Sequence, residues 1–274
     1  MQNLFSVSQQ SSDDFNEVYS DAFYHAFLFD GEGSVLIDLA DYQFKGKTIL
    51  FTSPYQNIQL ISSENFEIRN LSFHGDFYCI EYHKKEVACN GLLFNNIYLH
   101  PVFPLDDETY IELGEIIRKA AVVQESDRFS GAVQRSYLQL MLAISSREKM
   151  KLLEKQQLEI HDFNEVKTFQ ELVEKHFISE RSVSFYADRL HISPNALSKK
   201  IKAEFLKSPS QIIQERVILE SKKLIHLTRK TVKEIAAELN FEDEHYFSRY
   251  FKKHTGVSPV KFREQVGISV VADL

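Results

Sequence analysis

Residues 231–262 read TVKEIAAELNFEDEHYFSRYFKKHTGVSPVKF, and this stretch decides how the second half of the chain folds. Thr231 and Glu234 have the spacing of a capping box, in which a hydroxyl and a carboxylate close the first backbone donors of a helix reciprocally. Ile235, Ala236 and Leu239 then fall on one face. Asn240 tolerates the left-handed conformation that a tight turn between helices needs, and Phe241 is placed to plug the space between them. Asp243 can cap a second helix, in which Tyr246, Phe247, Tyr250 and Phe251 recur at helical spacing. That helix also carries His245, Ser248, Arg249, Lys252 and Lys253. A helix, a short turn and a second helix with a basic polar face form the layout that lays a recognition helix in the major groove of DNA.

The same pattern occurs once upstream, in YADRLHISPNALSKKIKAEFLKSP from Tyr186 to Pro209. Ala187 and Leu190 match Ala236 and Leu239 at an offset of 49. Leu197-Ser198-Lys199-Lys200-Ile201-Lys202 matches Phe247-Ser248-Arg249-Tyr250-Phe251-Lys252 at an offset of 50, and Ser208-Pro209 matches Ser258-Pro259 at that same offset. The change of offset puts one extra residue in the second turn. A lone helical hairpin is a weak signal; two copies that share apolar, basic and Ser-Pro landmarks are a strong one.

The run Tyr246-Phe247-Ser248-Arg249-Tyr250-Phe251-Lys252-Lys253, followed by Gly256-Val257-Ser258-Pro259, resembles the signature of the AraC/XylS family of bacterial transcription regulators, and the resemblance covers roughly residues 168–264. It implies a DNA-binding domain of seven helices, with two helix-turn-helix units joined by one long helix. It also implies a cupin-like N-terminal half that senses a small molecule, and helices after that barrel as the dimer surface. Two departures stand out. Asn240 occupies the place of the family's glycine before the phenylalanine of the second turn, a mild change. Leu206 stands where the second unit has Gly256, which predicts a different end to the first recognition helix.

At 274 residues the chain is long enough for two domains, expected over 1–157 and 158–274. The net charge of −7 divides unevenly. Residues 181–264 hold 17 Lys and Arg against 10 Asp and Glu, and the remainder holds 15 against 29. An acidic part joined to a basic one fits a chain with one DNA-binding half. No apolar run approaches the ~20 residues of a membrane span, and the N-terminus lacks the basic start and apolar core of a signal peptide. Two cysteines, Cys79 and Cys89, make neither a disulfide framework nor a four-cysteine zinc site; both read as buried small hydrophobes. These features predict a cytoplasmic protein without membrane partners.

Residues 1–20 are polar and predict no element. From Ala22 to about Tyr98 short β-rich runs follow one another: FYHAFLF, SVLIDL, KTILFTS, NIQLI, FEIRNLSF, DFYCIEY and LLFNNIY, divided by turn residues. That spacing predicts a β-barrel or jelly roll. The fold class is therefore α+β: a cupin-like N-terminal barrel with following helices, and an all-α C-terminal domain with two helix-turn-helix units. The nearest metal set, His74, Glu81 and His83, does not share one strand face unless a bulge intervenes. Neither a metal nor another cofactor is expected, nor a catalytic residue, and no ligand-binding residue can be named.

Helical periodicity begins at Asp106. Tyr110, Leu113 and Ile117 share a face, flanked by Ile116 and Ala120. A longer helix after Asp127 carries a wide stripe of Val133, Tyr137, Leu140, Met141 and Ile144, broadened by Leu138 and Leu142. Part of it packs on its own domain. Following the resemblance, Tyr137, Leu138 and Met141 are assigned to a homodimer contact. The charged stretch 147–157 reads as a linker.

In the C-terminal half, Ser193-Pro194 is a cap followed by proline at the first helical position. The first recognition helix then runs to about Phe205, with Leu197 and Ile201 inward and Asn195, Ser198, Lys199 and Lys202 outward. The second turns Glu244, His245, Ser248, Arg249 and Lys252 outward. Arg249 can fork onto guanine O6 and N7, Asn195 can pair with adenine, and Glu244 can accept from cytosine. Lys199 can reach guanine or a phosphate. Lys202, Lys252 and Lys253 suit phosphates, which position rather than specify. The resemblance puts base reading at Asn195, Ser198, Lys199, Glu244, His245 and Arg249. Between the units, Ser210–Leu227 reads as one helix of about 27 Å at 1.5 Å per residue, comparable with the ~34 Å repeat of B-DNA. Its Arg216, Lys222 and Lys223 are expected outside. Double-stranded DNA is the expected partner, with room for RNA polymerase and an unidentified small-molecule effector. The competing reading is a barrel-based enzyme or ligand carrier with an accessory helical module.

Overall fold

The computed structural model describes residues 4–80, 91–123, 128–159 and 164–268. Contacts divide the chain into two units. The first takes residues 1–37, 41–96 and 101–156; the second takes 157–274 with the short pieces 38–40 and 97–100.

The first unit is built on an antiparallel sheet of strands β1 (Phe5–Ser11), β2 (Tyr24–Ile37), β3 (Ala40–Thr52), β4 (Ile58–Ile61), β5 (Glu67–Phe73) and β6 (Val102–Pro104). Their order is β1-β5-β2-β3-β6, with β4 on β2. The 14-residue β2 pairs with β5 through its first half, Tyr24 opposite Phe73, and with β4 through its second, Val35 opposite Leu60. Between these halves a Cβ on Gly33 would lie 2.5 Å from the Ile61 carbonyl oxygen. Only glycine lets the two backbones approach there.

Alternation along the strands gives the sheet two apolar faces. Tyr24, Ala26 and Leu28 of β2 and Ile49 and Phe51 of β3 pack, within one core, with helices α1 (Asp107–Ala121) and α2 (Ser130–Glu159), through Leu113, Ile117, Leu138 and Met141. Phe27, Phe29, Leu50 and Ile68 turn the other way, around a small apolar cavity closed by Phe15, Ile58 and Leu60. Helix α1 starts where Asp106 accepts from the Thr109 amide at 2.7 Å.

Several sequence expectations are corrected here. β1 has no sequence signal, because its exposed Ser8 and Gln9 carry no apolar alternation; it is a strand through its pairing with β5. FYHAFLF and SVLIDL fuse into one strand. Residues 92–98 bend instead of forming a strand, and 75–77 turn. Glu81, His83 and Cys89 lie outside the described residues, and Cys79 is part-exposed rather than buried. The stretch 147–157 continues α2 rather than opening a linker. Leu138 and Met141, assigned to a dimer contact, are fully buried in their own unit, whereas Val133 and Leu140 of the same stripe are exposed; Tyr137 is part-buried at its edge. Among the described residues no helix is long and apolar enough to cross a membrane, and none cluster as a metal site.

The second unit contains α3 (Asn164–His176), α4 (Val183–Arg189), α5 (Pro194–Phe205), α6 (Pro209–Leu227), α7 (Val232–Glu238), α8 (Glu244–Thr255) and α9 (Pro259–Val266). Ser182, Ser193, Ser208, Thr231, Asp243 and Ser258 cap α4 to α9 in turn. Buried Ile212, Ile213, Val217 and Ile225 make α6 the spine, packed by α5, α7, α8 and α9. Arg216 departs from its expected outward place: its guanidinium sits 4.0 Å over the Phe177 ring and bonds Glu174 and Glu220.

Candidate nucleic-acid interface

The two helical hairpins α4–α5 and α7–α8 repeat at the level of single hydrogen bonds. In the first turn His191 has φ 55° and the Ile192 amide reaches the Ala187 carbonyl at 3.1 Å. In the second, Asn240 has φ 54° and the Phe241 amide reaches the Ala236 carbonyl at 2.9 Å. The offset of 49 thus holds through the left-handed residue. It becomes 50 at the next caps, Ser193 and Asp243, so Glu242 is the inserted residue.

Both recognition helices end alike. Leu206 (φ 59°) and Gly256 (φ 77°) adopt the left-handed cap and donate to the carbonyls of Lys202 and Lys252. The different ending predicted for the first helix is not found: leucine accepts the conformation that glycine takes without strain.

At the start of α8, Asp243 accepts from the His245 and Tyr246 amides, both at 2.7 Å. The Tyr246 amide does most to hold this carboxylate below the usual range, against its own desolvation. Phe241 fills the turn, 5.1 Å from the Phe247 ring and 5.3 Å from Tyr250. Burial pushes the Tyr250 hydroxyl up to about 12.

With Leu197 and Ile201 buried on α5, and Phe247 and Phe251 on α8, the opposite faces are determined. Asn195, Lys199 and Lys202 are exposed and Ser198 half-buried; His245, Arg249 and Lys252 are exposed and Ser248 half-buried. These eight residues match pairwise at the offset of 50. Lys253 is exposed and Glu244 half-buried at the first position of α8.

Ion pairing separates these cations from their neighbours. Lys200 bonds Glu165 at 3.2 Å, Lys207 bonds Glu215 at 2.6 Å, and Lys230 pairs with Glu238. Among the described residues, Lys199, Lys202, Arg249, Lys252 and Lys253 enter no ion pair. Sequence reasoning missed Tyr246, placed among the apolar positions yet 46% exposed, beside Arg249 at 6.0 Å. It also missed Arg181, whose guanidinium donates to the Leu239 carbonyl and lies 3.9 Å over the Phe241 ring.

A family model described as a helix-turn-helix domain matches residues 186–265, spanning both hairpins. The arabinose operon regulatory protein of Salmonella typhimurium is 32% identical over 92 residues, 34% of this chain and 31% of that protein. The C-terminal part of the chain is an AraC-type helix-turn-helix domain. The chain is also 39% identical, over 77 residues, to the uncharacterized HTH-type transcriptional regulator YfiF of Bacillus subtilis, covering 28% of this chain and 24% of that one. The chain thus spans less than a third of the length of either relative. A crystal structure of ToxT from Vibrio cholerae strain SCE256 aligns with 97% of this chain and 99% of its own, at 17% identity and a TM-score of 0.44.

Proposed function

We propose that the protein is a sequence-specific DNA-binding transcription regulator in which α5 and α8 each read one short box of double-stranded DNA from the major groove. The observation that carries this reading is the pairwise match of exposed residues on the two helices, with cations left out of ion pairs. Arg249 forks onto guanine and Asn195 pairs with adenine. Lys199 takes guanine or a phosphate, and Glu244 and His245 meet bases at the start of α8. Ser198 reads bases beside Asn195 and Lys199, while Lys202, Lys252 and Lys253 anchor phosphates, joined by Ser248. The 19-residue α6 is about 28 Å long at 1.5 Å per residue, which suits boxes about one helical turn apart.

In this reading residues 158–274 bind DNA and residues 1–157 regulate that binding, through a second copy of the chain or a small-molecule effector. Self-association uses the outer face of α2. Val133, Leu140 and Met150 are exposed there, and Phe129 is exposed immediately before the helix, at spacings of four, seven and ten residues that fit one seam. They replace Leu138 and Met141 in that role, with Tyr137 at the margin. The protein acts where the chromosome is, in the cytoplasm, and RNA polymerase is the partner through which it alters transcription. No catalytic role is assigned.

Selection from a random DNA pool tests the proposal. Full-length protein is expected to enrich two short boxes about one turn apart. Binding that selects no motif and merely fades as salt rises would overturn it.

A further inference from the structure

Arg181 stands just before the Ser182 cap of α4, in the first helix-turn-helix unit. Its repeat counterpart, at the offset of 49, is Lys230, just before the Thr231 cap of α7. The two behave differently. Lys230 closes within its own unit, on Glu238 of α7. Arg181 reaches out of its unit: Nη2 donates to the carbonyl of Leu239, which ends α7. The flat guanidinium lies over Phe241, the ring that fills the second turn and touches Tyr246, Phe247 and Tyr250.

The backbone beneath Arg181 is also fixed. The hydroxyl of buried Tyr186, on α4, donates to the Glu180 carbonyl at 2.8 Å. A half-buried guanidinium with a carbonyl acceptor and an aromatic face is held in plane and in direction, which the ammonium of lysine is not. A cation at the end of α7 is also favoured by the helix dipole.

We propose that Arg181 is a positioning residue, a direct tie between the two helix-turn-helix units that sets the spacing of DNA boxes the protein accepts. α6 alone joins the units end to end through a single shaft. Arg181 adds a second attachment beside it, and two attachments resist the twisting that would bring α5 and α8 to other separations. This inference rests on the paired-box reading above.

The test uses full-length protein and the selected two-box site, with the boxes moved together or apart by one and two base pairs. Wild type is expected to lose at least about tenfold in affinity for each step away from the selected spacing. Arg181→Ala and Arg181→Met, the second keeping the apolar stem over Phe241, are expected to bind the selected spacing about tenfold more weakly and to flatten the penalty to about threefold or less per step. A uniform loss that leaves the spacing profile of both variants unchanged would overturn the tie and leave the paired-box reading intact. A wild type indifferent to spacing would overturn both.

Discussion

The two helix-turn-helix units reach one geometry with different residues. The first is largely aliphatic at the turn, around Ile192, Leu197 and Ile201; the second is aromatic, around Phe241, Phe247 and Phe251. The first turns through His191 and ends its recognition helix on Leu206; the second uses Asn240 and Gly256. What the copies share is a side-chain cap, a left-handed residue after the first helix and another after the second. These backbone conditions therefore define the unit, and the filling between them is exchangeable if it packs.

The comparison breaks first at the buried rings. Phe247 is fully buried against Phe241 and Phe251, so Phe247→Ala is expected to destabilise by about 3–5 kcal/mol. Leu197→Ala, the same position in the first unit, should cost about 2–5 kcal/mol. Chemical denaturation of both variants checks this, and a Phe247→Ala loss under about 1 kcal/mol would show the second unit to be loosely packed.

Base reading gives the next effect. Arg249→Ala should cost about 1–3 kcal/mol in binding and relax one base position. Lys252→Ala should weaken all sequences alike and reduce the slope of log affinity against log salt by about 0.9. Titrations at several salt concentrations separate the two; identical behaviour would deny the division between reading and anchoring.

Cap strain is smaller. A Cβ on Gly256 would meet nothing within 4 Å, so Gly256→Ala isolates the cost of the left-handed backbone, about 1 kcal/mol. Leu206→Gly should gain about 0.5 kcal/mol, since the freer unfolded glycine offsets part of the relief. Thermal melts that moved both variants in one direction would contradict the shared cap.

The smallest effect follows from Asp243. Its carboxylate is held low by the Tyr246 and His245 amides, so its contribution is present above the ordinary carboxylate value of about 3.9. It is lost as pH falls through the depressed folded value. Asp243→Asn, which still caps, should flatten the acid limb of a pH-stability profile with little change at neutral pH. An unchanged acid limb would remove Asp243 from the account, and Ser193 in the first unit supplies the non-titrating reference.

What could be read from the chain alone follows from range. Thr231 with Glu234, Ser193 with Pro194, and Asn240 declare themselves within three or four residues, and so do the outward positions opposite Leu197 and Phe247. The left-handed Leu206 is not legible, because leucine does not favour that backbone, and histidine's mild preference for it does not single out His191. In the N-terminal sheet, β1 depends on β5 more than 50 residues away. Which edge of the α2 stripe is buried was settled by the sheet face it meets, so Leu138 and Met141 went inward and Leu140 outward. The role of Arg181 is hidden for the same reason: its partners, Leu239 and Phe241, lie 58 residues or more along the chain.

The most direct test of two units reading DNA in parallel is base-resolution protection of the selected site by wild type, Lys199→Ala and Arg249→Ala. Each variant is expected to lose protection over a different box and keep it over the other. Loss over the same box in both variants, or over neither, would contradict it.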